Sequence, residues 1–205
     1  RLFRGSYRWS GMKNIEVIRI PKDRVGVVIG KNGETKSLIE QLTNTKLTVD
    51  SSNNTVSIES SEQTDPLGVW KTKQIVTAIG RGFNPKNALK LVEDDVFLEI
   101  IDLKNIFPSE KSQVRIKGRI IGENGKTRRT IEELSETKIS VYGDTVGILG
   151  GQEQLKIARK AVEMLIKGSS HSSVYKYLSR KKQELKQQRY DLWERPPLQR
   201  EEGGE

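Results

Sequence analysis

The chain has 205 residues, with 36 Lys and Arg against 27 Asp and Glu, a formal net charge of +9, no Cys and one His. That excludes disulfide scaffolds and Cys-ligated zinc or iron–sulfur sites, and it leaves too little histidine for His-based metal sites or Ser–His–Asp triads. No apolar run approaches the roughly 20 residues of a membrane helix, so the expectation is a soluble, cytoplasmic, monomeric protein without metal, cofactor or catalytic set, and with an anionic partner, nucleic acid first.

In chain order, Arg1–Gly11 precede Met12-Lys13 and read either as an N-terminal arm or as residues foreign to the native chain; residues 1–12 are set apart on that ground. Alternation predicts a strand over Ile15–Ile20. A short apolar segment then enters a glycine-bounded turn, Gly30–Gly33, and a helix follows with Leu38, Ile39 and Leu42 on one face. Strands are predicted at Lys46–Asp50 and Thr55–Glu59, then a helix over Pro66–Gly80 stopped by Gly82. Asn84 followed by Pro85 starts a packed connecting helix within Phe83–Asp95, striped by Ala88, Leu89 and Val92.

The same order then recurs. A strand is predicted at Val96–Ile101, followed by a polar insertion, Leu103–Gln113, whose Pro108 marks it as a surface loop. A second glycine turn, Gly122–Gly125, precedes a helix with Ile131 and Leu134 on one face. Strands Lys138–Tyr142 and Thr145–Leu149 lead to a helix over Gln152–Lys167, with Leu155, Ala158, Val162, Leu165 and Ile166 inward and Gly168 as its stop. Ser172–Trp193 reads as a basic helix ended by Pro196-Pro197, and Gln199–Glu205 as a frayed tail.

The recurrence is a sequence repeat. From Gly26 and Gly118 the chain matches itself at 12 of 24 ungapped positions. The register then slips by two, between Asp50-Ser51-Ser52-Asn53 and Tyr142-Gly143, as a variable loop allows. Two small domains are expected, residues 13–82 and 96–168, with 83–95 connecting them and 169–205 forming a basic helix and tail. Each reads strand–helix–helix–strand–strand–helix, an α+β plan with a three-stranded antiparallel sheet covered on one face.

A G-x-x-G turn between helices has two merits for binding a sugar–phosphate chain. Without a Cβ, the main chain can be approached closely. The following helix aims free N–H groups and the positive end of its dipole at a phosphate. A single such turn is a weak signal; two in matched context are far more specific. Gly125-Lys126-Thr127 mimics the end of a P-loop, but Ile120 stands where that motif needs its first glycine. The paired acids Asp94-Asp95 and Glu132-Glu133 are sequence neighbours, which do not share a helix face, and His171 reads as a cap or surface residue.

Ile-Gly-x-x-Gly, an amphipathic helix, two strands and a closing helix, all found twice, resemble tandem KH domains of the strand–helix–helix–strand–strand–helix type. The resemblance implies that each turn clamps about four nucleotides of single strand by their backbone. It implies a groove of Val28, Ile29, Gly30, Lys31, Asn32, Gly33, Lys36, Leu47 and Val49 in the first copy. In the second it implies Lys117, Arg119, Ile120, Ile121, Gly122, Glu123, Asn124, Gly125, Lys126, Arg128, Arg129, Ile139, Ser140 and Val141. The stretches Arg115–Glu132 and Gly168–Tyr175 are similar to the partner-of-Nob (Pno/Dim-type) family of small-subunit ribosome assembly factors. That resemblance implies binding near the 3′ end of small-subunit precursor rRNA. It also implies contact with a PIN-domain rRNA endonuclease and, in archaea, with the α subunit of initiation factor two; the intact Gly30 and Gly33 look archaeal. A general KH-type mRNA regulator and a protein-interaction scaffold are the alternatives.

Charge ranks the two turns. Residues 115–129 carry a net of +5 and residues 23–37 a net of +1, so the second copy is expected to dominate RNA binding. Residues 171–189 add another +5, with Lys176, Arg180, Lys181 and Lys182 as the patch; Tyr177, Tyr190 and Trp193 either stack on bases or pin the helix to its own domain.

Overall fold

The structure, a computed structural model, describes residues 15–60 and 66–194. The N-terminal arm, the Pro196-Pro197 stop, the tail beyond it and the Trp193 side chain lie outside the described part. Packing divides the chain into two compact units. One runs to Ile106 and takes in Ile139–Leu149; the other holds Phe107–Lys138 and the residues from Gly150 onward.

In the first unit β1 (Ile15–Arg19), α1 (Lys22–Ile29), α2 (Glu34–Thr43), β2 (Thr45–Asp50), β3 (Thr55–Ser60) and α3 (Pro66–Gly80) follow in the expected order. The sheet order is β1-β3-β2 and both pairings are antiparallel, with Val17 opposite Ser57 and Leu47 opposite Ile58. Strand alternation gives the sheet one apolar face: Leu47, Val56 and Ile58 are fully buried while Lys46 and Thr48 are exposed. Ile39 of α2 and Ile75, Val76 and Ile79 of α3 complete that core, each worth roughly 1.5–3 kcal/mol of burial. A hydroxyl chain ties the helices to the sheet: Thr43 Oγ1 lies 2.9 Å from Thr45 Oγ1, which lies 3.0 Å from Thr72 Oγ1.

Gly82, with φ +91°, ends α3 as expected: the amides of Gly82 and Phe83 bond the carbonyls of Ile79 and Ala78 at 3.0 and 3.1 Å. The connecting segment is α4 (Pro85–Ala88) and a 3₁₀ turn, Leu89–Val92, started by Asn84, whose side chain accepts from the Lys86 amide at 2.9 Å. Ala88 and Leu91 are its buried members, whereas Leu89 and Val92 are only partly covered. The tighter 3₁₀ winding stacks residues three apart, so Leu91 lies over Ala88.

The second sheet, order β4-β6-β5, is built from β4 (Phe97–Asp102), β5 (Lys138–Tyr142) and β6 (Thr145–Gly150). Leu103–Gln113 is not a surface loop. It forms α5 (Leu103–Ile106) and the start of α6 (Glu110–Ile121). Leu103 is fully buried, with its amide bonded to Asp144 O at 2.8 Å, and Asp102 accepts from the Lys104 amide at 2.8 Å as a helix cap does. Gln113 is buried as well, and its Nε2 donates to Phe107 O at 2.7 Å.

The second unit is helical: α6, α7 (Lys126–Ser135), α8 (Gln152–Ile166) and α9 (His171–Glu194) pack on one another. Ile116, Ile120, Ile131, Ala158, Ala161, Val162 and Leu165 are buried, and Val174 and Leu178 anchor α9. No helix among the described residues is long and apolar enough to cross a membrane.

The buried Leu103 gives a direct check. Leu103→Ala is expected to cost about 2–5 kcal/mol in chemical denaturation, whereas Ile106→Ala, 45% exposed and three residues on, is expected to cost under about 0.5 kcal/mol.

Candidate nucleic-acid interface

The two glycine turns have one geometry. Gly30 and Gly122 adopt φ/ψ of 75°/177° and 73°/175°, Asn32 and Asn124 sit at φ 54° and 51°, and Gly33 and Gly125 at φ 81° and 74°. The conformation of Gly30 and Gly122 is open to essentially no other residue. Asparagine is among the few residues that tolerate the left-handed region at the middle position.

The paired glycines do different jobs. A Cβ on Gly30 would fall 2.8 Å from the Thr35 amide nitrogen, and one on Gly122 would fall 2.8 Å from that of Thr127. The first glycine is therefore demanded by the fold. A Cβ on Gly33 or Gly125 would meet nothing within 4 Å. The second glycine faces open space, leaving its main chain free to be approached.

Gly33 and Gly125 are also the N-caps of α2 and α7, and neither helix has a side-chain cap. The first-turn amides are thus unclaimed by side chains, the arrangement that takes an anion. Charge separates the copies at this point. Glu34 stands in the first turn of α2, where it competes with an anion; Lys126 stands there in α7. In the turns themselves the signs are reversed, Lys31 against Glu123.

Sequence reasoning treated the second-copy cations as equivalent, and the structure separates them. Arg129 Nη2 donates to Asn124 O at 2.6 Å, so its guanidinium braces the turn from the carbonyl side; the matching residue in the first copy is Ser37. Arg119 Nη2 donates to Ser169 O at 2.6 Å, and Arg119 O lies 3.0 Å from His171 Nε2, so this arginine joins α6 to the start of α9. Lys117 and Arg128 are half-buried, and Lys126 and Arg115 are exposed. Ile120 is fully buried, whereas Ile121 keeps 37% exposure beside the turn.

The strand residues expected to line the second groove belong to the first compact unit. Ile139 and Ser140 are buried, and Ser140 Oγ donates to Arg81 O at 2.9 Å; Val141 is half-buried. Its neighbour Tyr142 donates its hydroxyl to Asp23 Oδ2 at 2.6 Å and lies under the Arg24 guanidinium, 5.8 Å from the ring centroid. Burial and the Asp23 bond raise the Tyr142 hydroxyl above its ordinary pKa.

In the first copy Val28 and Leu47 are fully buried, while Ile29 and Val49 are half-buried. The Leu47 amide, on the edge strand β2, already donates to Glu40 Oε1 at 2.7 Å. Lys36 lies 3.9 Å from the same carboxylate oxygen. At the end of β2, hydrogen bonds from Ser52 and then Asn53 hold the Asp50 carboxyl down at about 2.

The basic patch of α9 is mostly engaged. Lys182 Nζ donates to Glu133 O at 3.1 Å, and Lys181 and Arg180 both pair with Glu184, whose carboxyl the Lys181 bond holds below the usual range. Lys176 is exposed. Tyr177 is half-buried against α8 rather than free to stack, and burial raises its hydroxyl. Tyr175, which sequence reasoning passed over, bonds Thr127 Oγ1 at 3.2 Å directly behind the turn. The identity of Thr35 and Thr127 in the repeat is the signal that marks this support. Among the described residues no three His, Asp or Glu side chains gather as a metal site needs.

Residues 15–93 match the family model described as KH domain, and residues 97–183 match one described as eukaryotic type KH-domain, KH-domain type I. The chain is 50% identical over 183 residues to a KH domain-containing protein of Methanocaldococcus jannaschii, covering 89% of this chain and 81% of that one. It is similar to the solved a/eIF2alpha–aDim2p–rRNA complex from Pyrococcus horikoshii, with a TM-score of 0.78, 50% identity, and coverage of 84% of this chain and 96% of that one. The chain belongs to the tandem KH-domain family of Pno/Dim-type ribosome assembly factors. Its two KH domains each combine a three-stranded antiparallel sheet with helices, and a C-terminal helix follows. With the pre-rRNA-processing protein PNO1 of Coccidioides immitis it shares 34% identity over 118 residues, 57% of this chain and 46% of that protein. The chain thus spans about half the length of that fungal relative.

The division of labour within each KH turn is testable by thermal and chemical unfolding. Gly30→Ala is expected to destabilise by roughly 2–5 kcal/mol, since it adds steric overlap to backbone strain. Gly33→Ala is expected to cost only the strain, about 1–2 kcal/mol.

Proposed function

We propose that this protein is an RNA-binding factor of small-subunit rRNA processing. It takes single-stranded precursor rRNA near the 3′ end on the Gly122–Gly125 turn of its second KH domain. The observation that carries this reading is the open second glycine backed by an uncapped helix start, with Lys126 where the first domain has Glu34.

The physical sequence runs from turn to ligand. The Gly122 conformation and Thr127 set the turn, and Arg129 holds its carbonyl side. The amides at the start of α7 then face one backbone phosphate, with the helix dipole and Lys126 adding attraction. Ile121 offers an apolar surface beside the turn for a base. Ser37 and Glu34 in the first domain provide neither brace nor positive charge, which suits that domain to a supporting role.

The solved complex of the Pyrococcus horikoshii relative joins aDim2p to a/eIF2alpha and rRNA. We extend both to this chain. Contact with a PIN-domain endonuclease rests on the family resemblance. Binding and positioning RNA for another protein's cut is the whole of the chemistry proposed here.

Fluorescence anisotropy with a labelled RNA from the 3′ region of the small-subunit precursor tests this. Gly125→Asp is expected to weaken binding tenfold or more, since it places a carboxylate against a phosphate, about 1.4 kcal/mol or above. Gly33→Asp is expected to change it less than about threefold. Lys126→Gln is expected to reduce the slope of log affinity against log salt by about one. Unchanged affinity in Gly125→Asp together with loss in Gly33→Asp overturns the assignment.

A further inference from the structure

Both copies continue past the positive-φ glycine that closes their last helix, Gly82 or Gly168, and there they part. In the first unit the chain makes α4 and one 3₁₀ turn; in the second it makes the 24 residues of α9. The two segments also differ in sign. Residues 83–95 carry Lys86 and Lys90 against Glu93, Asp94 and Asp95, a net of −1. Residues 171–189 carry +5, and Glu184 is the one acid between His171 and Tyr190.

Two hydrogen bonds set the first turn of α9 against both sides of the glycine turn. His171 Nε2 lies 3.0 Å from Arg119 O, three residues before Gly122. Tyr175 donates its hydroxyl to Thr127 Oγ1 at 3.2 Å, two residues after Gly125. α9 then runs along α7 away from the turn: Lys182 Nζ donates to Glu133 O, and Arg189 Nη2 lies 3.1 Å from Glu136 Oε2. Val174 and Leu178 are buried beneath α9, so its opposite side is a solvent-facing stripe that begins beside the glycine turn and leads away from it.

That side carries an open trough of about 550 Å³, lined by Ser172, Tyr175, Lys176, Ser179, Arg180 and Gln183. The volume lies within the roughly 300–1,000 Å³ of ligand clefts. Every lining side chain bears a hydrogen-bond donor and none is acidic. Lys176 is exposed and forms no ion pair with any described residue. Arg180 Nε lies 3.6 Å from Glu184 Oε1 with 68% of its side chain exposed, a surface pair that water and salt readily loosen. The Tyr175 ring is a fixed surface, with its hydroxyl held on Thr127 and the His171 ring 6.3 Å away, whereas Tyr177 is turned against α8. A fixed aromatic ring beside unneutralised cations suits a single strand of RNA, which offers bases to stack and phosphates to neutralise. An acidic peptide would engage the cations and leave the ring idle.

We propose that RNA held at the second glycine turn continues along α9, with a base stacked on Tyr175 and the backbone passing over Lys176 and Arg180. The second domain then takes a longer strand than the roughly four nucleotides that a glycine turn clamps. Lys181 and Lys182 stay out of the track, since Glu184 and the Glu133 carbonyl hold them. The proposal rests on the RNA-binding reading of the Gly122–Gly125 turn and adds a second contact surface to it. The first domain has no counterpart, because its matching segment is short and net acidic.

Fluorescence anisotropy on the full chain tests this with two labelled RNAs from the 3′ region of the small-subunit precursor, of about four and about nine nucleotides. The longer RNA is expected to bind about tenfold more tightly or better. Lys176→Gln combined with Arg180→Gln is expected to cut that gain about fivefold or more, and to lower the slope of log affinity against log salt for the longer RNA by about 1.4. Lys160→Gln, exposed on α8, is expected to leave the gain within about twofold. Tyr175→Leu is expected to cut the gain about fivefold or more, whereas Tyr175→Phe, which keeps the ring and loses the Thr127 bond, is expected to retain most of it. Support of the fold alone would give the opposite order. In the unaltered chain, 5-iodouridine placed in turn at each position of the longer RNA is expected to crosslink to Tyr175 on irradiation, which needs no variant to fold. The proposal alone is overturned if the short RNA binds and added length brings no gain, if the double variant keeps the full gain, or if no position crosslinks to α9. If neither RNA binds, the reading of the glycine turn falls with it.

Discussion

A threonine beneath each glycine turn is the constraint on which the remaining structure depends. Thr35 and Thr127 fill the space a side chain on Gly30 or Gly122 would need, which forces the main chain into a conformation only glycine holds. The chain then turns through a left-handed asparagine and enters the next helix at a second glycine with open space in front of it. One glycine of each pair is demanded by the fold, and the other faces open space. In the second domain Tyr175 bonds the same threonine, so α9 is fastened directly behind the turn.

Duplication gave the two KH domains the same turn and the same helix ends, and their differences are local. Lys31 and Glu34 in the first copy become Glu123 and Lys126 in the second, which moves positive charge from the turn to the helix start. Ser37 becomes Arg129, which braces the turn. A short 3₁₀ segment in one copy is a 24-residue helix in the other. These substitutions leave a lysine at the helix start behind the second turn and a glutamate at the one behind the first.

Much of this was legible in the sequence, because repeat identity and strand or helix periodicity survive in exposed, regular elements. The element order, the two turns and the Gly82 and Gly168 stops all follow from residue pattern. What failed did so for physical reasons. Leu103–Gln113 has one fully buried leucine among polar neighbours, and a single inward residue per short helix carries no period to detect. Spacing sets Leu38, Ile39 and Leu42 on one face of α2, but which of them is covered depends on packing: Ile39 is buried with Thr43, and the two leucines are exposed. The hydrogen bonds of Arg119 and Ser140 to the carbonyls of Ser169 and Arg81 join residues about 50 to 60 positions apart, which no local pattern reveals.

The central claim is that main-chain amides of the second turn hold the RNA backbone. Amide chemical-shift mapping with single-stranded RNA from the 3′ region of the small-subunit precursor tests it most directly. The account predicts the largest shifts at Gly122, Glu123, Asn124, Gly125, Lys126 and Thr127, with those of Gly30–Gly33 small at the same occupancy. Shifts concentrated on the first turn, or spread over α9 with the second turn unmoved, would contradict it.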